Sequence, residues 1–411
     1  MIIWLVNPYG PIEGENWRDY SFNQFGKYLS SKGHEVIWWT SNFAHHFKKY
    51  RSEGWKDITV CDGFIIRLIP TSSYKKNFGI GRICKDIVFS RNAAKRFKNE
   101  KKPDVILSAE NPLTMGKPTF IYAKRNNIPI VVDQMDIWPE FIENKSGNLK
   151  SIMHLLFKPV YANRIKNYAQ ADGYLALGKN YLEFARHVAP DCLTKPYALA
   201  YNGVNISEFR EHLTDNLPEK VEKVLGKSKG TIRCIFAGTF GPSYDIDVMV
   251  ECAKRCQKNK LNVDFIFAGS GPRVDEVLVA AKEYDNILYL GSLLPTELVP
   301  VYGKCDIGMC AYSKASNVDM PDKFYDYCGA GLAVINSLTE EVAEYIETRT
   351  LGINYEGGNC NSMFEAIKHF SDNKSFLEDV KQNSFEIGSY FDCNAQNEKL
   401  LNLLEKVVED K

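Results

Sequence analysis

The chain has no uninterrupted apolar stretch near the ~18 residues that cross a bilayer. Its opening run, MIIWLVNPYG, has no basic segment ahead of a short apolar one, so neither a spanning helix nor a secretory leader is expected. The eleven cysteines form no Cys-x-x-Cys pair and no spaced Cys/His cluster, which argues against zinc modules and a disulfide scaffold. Cys252 and Cys256 lie one helical turn apart, and Cys305 and Cys310 bracket a short apolar run. Both pairs read as buried free thiols in a reducing compartment, so a cytoplasmic location is the expectation. Net charge is also missing, with 51 basic and 51 acidic side chains. There is no short repeat, no low-complexity tract, no Gly-x-Gly-x-x-Gly and no Walker loop.

The neutrality conceals an asymmetry. Residues 1–200 hold 29 basic and 18 acidic residues, leaving 22 and 33 for residues 201–411. A basic half joined to an acidic half suggests different partners, with anionic surfaces favoured by the first; mutual shielding explains it as well. A length of 411 residues and an apolar content of 45% fit two soluble domains of about 200 residues each.

What is present is a βα rhythm. IIWLVN (2–7), HEVIWWT (34–40), DVILS (104–108), IPIVVD (128–133) and GYLALG (173–178) predict buried strands. Phe22, Phe25 and Leu29 follow helical spacing, and Gly33 supplies a stop. The rhythm restarts with TIRCIFAG (231–238), VDFIFAG (263–269), NILYLG (286–291), CDIGMCA (305–311) and GLAVIN (331–336). The stretch 186–204, rich in proline and small residues, reads as a hinge. The expectation is an α/β protein of two Rossmann-like, doubly wound domains facing a central cleft. Segment 148–171 mixes Ile152, Met153, Leu155, Leu156, Phe157, Val160 and Tyr161 with Lys150, Lys158, Arg164 and Lys166. Such a helix can lie on an anionic membrane or bury its apolar stripe in a core.

Four stretches can carry chemistry. In NPYGPIEGENWR (7–18), breaks around Gly10 and Gly14 precede a helix and favour negative charge, although an irregular loop fits too. In VVDQMDIWPE (131–140), Asp133, Asp136 and Glu140 follow a strand end, where they could orient a hydroxyl, take a proton or cap a helix. In AGTFGPSYDID (237–247), the two acids read as a helix cap near Asp245 rather than a metal ligand pair. In DMPDKFYDYCGAG (319–331), a helix starts near Asp322. Lys323 at its start could bind a diphosphate, and Asp326 one turn later could accept two ribose hydroxyls.

These residues resemble a family. The Gly-rich loop 10–14, DIWPE (136–140), YNGVNISEF (201–209), FAGTFG (236–241), FAGSGPRVDEV (267–277), LGSLLPTELVPVYGKCDIGMCAY (290–312) and PDKFYDYCGAGLAVI (321–335) occur in the order found in retaining glycosyltransferases of GT-B fold. The likeness is to family 4, which includes bacterial O-antigen and capsule transferases. It implies an acceptor domain over 1–200, a nucleotide-sugar domain over 201–390 and a helix within 391–411 that crosses back. It implies a nucleotide-sugar donor as substrate (UDP-sugar favoured), no metal or other cofactor and no nucleic-acid partner. The acceptor is expected to be a lipid-linked or oligosaccharide precursor, reached at the inner face of the cell membrane. The implied donor contacts are Gly14, Gly238, Thr239, Gly271, Leu290, Gly291, Asp319, Met320, Lys323 and Asp326. Glu110, Asp133, Asp136 and Lys323 are the implied catalytic candidates. Three features depart from the family pattern. Val318 stands where its first acid would fall, with Asp319 adjacent. Thr239 and Tyr244 replace its phosphate-binding Arg and Lys, and Glu110 and Asn111 occupy the place of its histidine. A sugar-nucleotide epimerase and an inactive scaffold of the same fold are the alternatives.

Overall fold

The computed structural model describes the chain except residues 16, 20, 76–78, 111, 112, 230, 231, 315 and 317. It consists of two compact units, one formed by 1–202 with 394–411 and the other by 203–393. The first has an eight-stranded sheet of β1 (Ile2–Val6), β2 (Glu35–Ser41), β3 (Lys56–Cys61), β4 (Phe64–Ile69), β5 (Val105–Ala109), β6 (Ile130–Gln134), β7 (Gly173–Ala176) and β8 (Tyr197–Leu199). Their spatial order is β8-β7-β6-β5-β1-β2-β4-β3, all parallel except β3, which runs antiparallel to β4. β1 thus starts at the centre and the chain winds outward both ways. The five expected strands of this half all form. The stretch expected to be a hinge is partly structured instead: Tyr197–Leu199 pairs with β7 as the sheet edge. Ala198 and Leu199 pack against the two different core clusters, so pairing covers side chains that a linker would leave in water.

Helix α1 (Phe22–Ser31) buries Phe22, Phe25 and Leu29 as its spacing requires. α2 (Ile80–Phe97) follows β4, and α3 (Lys150–Gln170) precedes β7. α3 does not bury an apolar stripe along its first half; Leu149, Ile152, Leu155 and Leu156 are 57–65% exposed at its start. Two core layers flank the sheet. One is built around Trp4, Trp39, Phe89 and Phe97, the other around Leu5, Phe25, Trp38 and Phe64.

The second unit has β9 (Ile232–Thr239), β10 (Val263–Ser270), β11 (Ile287–Gly291), β12 (Ile307–Cys310), β13 (Ala333–Asn336) and β14 (Gly352–Asn354). All are parallel, in the order β11-β10-β9-β12-β13-β14. That is the dinucleotide-fold order, whose winding reverses between β9 and β12. α4 (Ile246–Lys258) follows β9, and α5 (Asp322–Ala330) lies between β12 and β13, ending at a left-handed Gly331. The last helix, α6 (Cys393–Glu409), belongs to the first unit almost throughout. Its Leu400, Leu401, Leu403, Leu404 and Val407 complete the layer that contains Phe25 and Trp38.

Candidate functional site

In an open parallel sheet a ligand settles outside the carboxyl ends of the strands where the winding reverses. In the second unit that point lies beyond β9 and β12, at Gly238–Thr239 and Ala311–Tyr312. Gly238, Gly269 and Gly271 all have positive φ there. A Cβ at Gly271 would lie 2.6 Å from the Phe240 carbonyl oxygen, so side chains are excluded where two backbone segments nearly touch.

Lys323, in the first turn of α5, reaches this edge and is 8% exposed. Its Nζ has no hydrogen-bond partner. It lies 4.1 Å from the ring centroids of Phe236 and Tyr244 and 5.0 Å from that of Tyr312. A Cβ placed on Gly238 would be 3.4 Å from it. Ring faces stabilise an ammonium but accept no hydrogen bond of ordinary strength. Burial therefore lowers the Lys323 pKa to about 7, against the opposing influence of Cys310, Asp326 and Asp322. A desolvated cation with its three donors unsatisfied is poised for an anion.

Thr239 is exposed with Gly238 at the strand end, and Leu290 is buried in β11 beside the positive-φ Gly291. Asp319 and Asp326 are both buried, on either side of Lys323, and Met320 is half-buried. The donor candidates of this unit therefore fall at the carboxyl ends of β9, β10 and β11 and in residues 319–326, where α5 begins. Gly14 belongs to the first unit, at an open turn with φ 84°. Asp245 stands at the cap position of α4 but makes no side-chain cap bond; its Oδ2 accepts from the Gly358 N–H at 2.7 Å. The expected helix cap is thus a tie between two loops.

Three catalytic candidates, Glu110, Asp133 and Asp136, are in the first unit, at the carboxyl ends of β5 and β6. Glu110 N–H donates to the Asp133 carbonyl at 3.0 Å. Asp133 is fully buried, neither carboxyl oxygen has a hydrogen-bond partner, and desolvation raises its pKa to about 8. Asp136 accepts from the Ile137 N–H at 2.9 Å, and burial raises its pKa while Arg82 opposes the rise. Asn111 lies outside the described residues.

The aromatic box was not anticipated. Phe236, Tyr244, Tyr312 and Lys323 span 88 positions of sequence and converge only through sheet order. One signal pointed to it: Tyr244 stands where the resembling family places a cation. Here the Tyr244 ring instead faces the Lys323 Nζ of α5.

Residues 231–373 match the family described as Glycosyl transferases group 1, so the second unit carries a domain of that kind. A UDP-glycosyltransferase, TURAN, of Arabidopsis thaliana is 25% identical over 133 residues, 31% of this chain and 29% of that protein. The match thus spans less than a third of that relative's length. A sucrose-phosphate synthase from Thermosynechococcus elongatus superposes with TM-score 0.71 at 13% identity, covering 100% of both chains. Anabaena Alr3699/HepE in complex with UDP superposes with TM-score 0.67 at 13% identity, covering 98% of this chain and 99% of that one. The fold is GT-B.

Proposed function

We propose that the protein is a retaining glycosyltransferase that moves a sugar from a nucleotide sugar, a UDP-sugar by preference, to a lipid-linked or surface-polysaccharide precursor. The observation that carries this reading is the Lys323 ammonium, buried without a hydrogen-bond partner at the winding reversal of a dinucleotide-type sheet. The matched domain and the UDP in the names of two similar proteins agree with it. A nucleoside diphosphate bound beyond β9 would give Lys323 its missing acceptor. As the sugar leaves, negative charge grows on the diphosphate, and the ammonium strengthens its hold in the transition state. Asp326 takes the ribose hydroxyls, and Asp319 takes the place of the acid that Val318 lacks. Retention follows from attack on the face the diphosphate leaves, and no metal is required. The experiment is calorimetric titration with UDP-, GDP- and ADP-sugars, followed by mass spectrometry of products with a lipid-diphosphate-sugar acceptor. UDP-sugar binding and sugar transfer are expected. Binding to none of the three would leave an inactive scaffold, and an epimerised donor without acceptor would identify an epimerase.

The acceptor side draws on α3. Its exposed Leu149, Ile152, Leu155 and Leu156 lie beside the exposed Lys158, so apolar insertion and attraction to anionic headgroups coincide on one helix. Peripheral attachment to an anionic leaflet is part of the proposal. Among the described residues no helix is long and apolar enough to cross a membrane.

A further inference from the structure

Cys252 and Cys256, one turn apart in the sequence, acquire a third thiol as neighbour in the fold. Both lie on α4 and are fully buried in the core of the second unit. Cys360 opens the helix Cys360–Asp372 and packs, half-buried, against the same core. The Cys252 thiol is hydrogen-bonded with those of Cys256 and Cys360. Ties on either side of these thiols hold the two helices together. Ahead of them in sequence, Asp245 Oδ2 accepts from the Gly358 N–H at 2.7 Å. Beyond them, Arg255 donates to Asn361 Oδ1 and lays its guanidinium 4.1 Å from the Phe364 ring centroid.

The thiols differ in what can reach them. Cys252 and Cys256 are sealed in the core, whereas Cys360 lines a cleft of about 730 Å³ bounded by α4, the helix Val274–Glu283 and Gly358. Asp247, Glu251, Asp275 and Glu276 line the same cleft, and Lys254 with the paired Arg273 offsets only two of these four acids. That excess disfavours an anionic thiol reagent such as glutathione and leaves entry to a small neutral oxidant. Hydrogen bonding with Cys252, aided by the Arg255 guanidinium, brings the Cys360 pKa down to about 7 against the influence of burial and Glu251. Its two thiol neighbours and burial keep Cys252 protonated. A reachable sulfur beside a buried thiol is the arrangement in which oxidation of the first is resolved by the second.

We propose that Cys360 and Cys252 are a peroxide-reactive pair that closes a reversible disulfide between α4 and the helix Cys360–Asp372. The Cys360 thiolate attacks one oxygen of hydrogen peroxide, the O–O bond breaks and hydroxide leaves. The sulfur is thereby oxidised to a sulfenic acid and the peroxide reduced. The Cys252 sulfur then attacks the Cys360 sulfur and passes its proton to the departing oxygen. The S–S bond forms, the S–O bond breaks and water leaves; a dithiol reductant reverses the result. None of this depends on the transferase reading. The test exposes the reduced full chain to hydrogen peroxide at pH 7, alkylates the remaining thiols in denaturant and maps every cysteine by peptide mass spectrometry. A Cys252–Cys360 linked peptide is expected, formed at least tenfold faster than the exposed Cys61 and Cys84 are oxidised, and lost on adding dithiothreitol. In Cys360→Ser, Cys252 should stay a free thiol under the same treatment. In Cys252→Ala, dimedone should label Cys360, whose sulfenic acid then has no resolving thiol. Circular dichroism checks the fold of both variants, and Cys360→Ser decides alone if the core substitution unfolds the chain. Oxidation of Cys360 with Cys252 left free, a link between Cys252 and Cys256, oxidation of Cys252 in Cys360→Ser, or equally fast loss of Cys61 or Cys84 would overturn the proposal.

Discussion

Lys323 and Asp133 are opposite cases of one effect, desolvation of a charge. Lys323 is a neutral amine above a pKa of about 7, against 10.5 for the exposed group. Between those values the unfolded chain binds a proton that the folded chain refuses, so the lysine's contribution to stability falls as pH falls from 10.5 to 7. Lys323→Met is expected to raise the unfolding temperature of the ligand-free protein at pH 6.5 and to weaken UDP-sugar binding at least tenfold. A lowered unfolding temperature with donor affinity intact would contradict the role given to this residue. A bound diphosphate raises the lysine's pKa, so binding at pH 8 takes up a proton and donor affinity falls as pH rises above 7. Calorimetry in two buffers of different ionisation enthalpy reads that uptake directly. Asp133 has its folded pKa raised to about 8. The folded chain holds a proton that the unfolded chain releases above about pH 4, so this residue's contribution to stability is lost as pH rises from 4 to 8. Asp133→Asn should leave the unfolding temperature nearly unchanged at pH 4 and gain on the parent chain steadily toward pH 8. A constant difference between the two would mean that Asp133 is ionised in the fold.

At the scale of elements, the placement of Lys323 depends on how α5 seats on the sheet. Gly308 in β12 faces the buried ring of Tyr327, and an added Cβ would fall on the ring atoms. The Tyr327 hydroxyl in turn donates to the Ile235 carbonyl at 3.3 Å, tying helix to strand. Gly308→Ala is expected to cost about 1–3 kcal/mol in chemical unfolding by overpacking. It should weaken donor binding as well, because the helix that carries Lys323 must shift. α3 presents the converse case, an element whose first half leaves Ile152, Leu155 and Leu156 exposed. Leu155→Glu with Leu156→Glu should leave the unfolding temperature within a degree or two and abolish retention on anionic liposomes at low salt. Retention equal to that of the parent chain would remove α3 from membrane attachment. The strands on either side of both sites were legible from their apolar runs, since a strand buried on both faces needs no partner to reveal it. The pair β3 and β4 was not, because KDITVC is a half-exposed edge that only its antiparallel neighbour turns into a strand.

At the scale of the molecule, the charge asymmetry follows the folded units. The first unit, α6 included, holds 32 basic and 22 acidic residues, the second 19 and 29. The basic residues proposed to meet anionic lipid lie in the first unit, and the lysine proposed to meet the diphosphate lies in the second. Removal of residues 394–411 would strip five apolar side chains from the layer around Phe25 and Trp38. The truncated chain is expected to lose several degrees of thermal stability, with early proteolytic cleavage confined to residues 1–202. Uniform cleavage of both units would show that the helix supports the whole chain rather than the first unit alone.

The sequence by itself determined the two α/β halves, the helix starting at Asp322 and the lysine at its start. Those properties follow from local periodicity, helix breaks and residue chemistry, which act over a few turns of chain. It also determined that no cation follows β9 at Thr239 or Tyr244. Only the tertiary structure decided what takes that cation's place. The winding order puts β9 beside β12 and α5 across their ends, so Phe236, Tyr244 and Tyr312 close around Lys323 and take it out of water. It likewise brought Cys360 to Cys252 from a separate helix. Burial and electrostatic coupling depend on distance in space, and residues far apart in sequence acquire them only when the sheet is assembled.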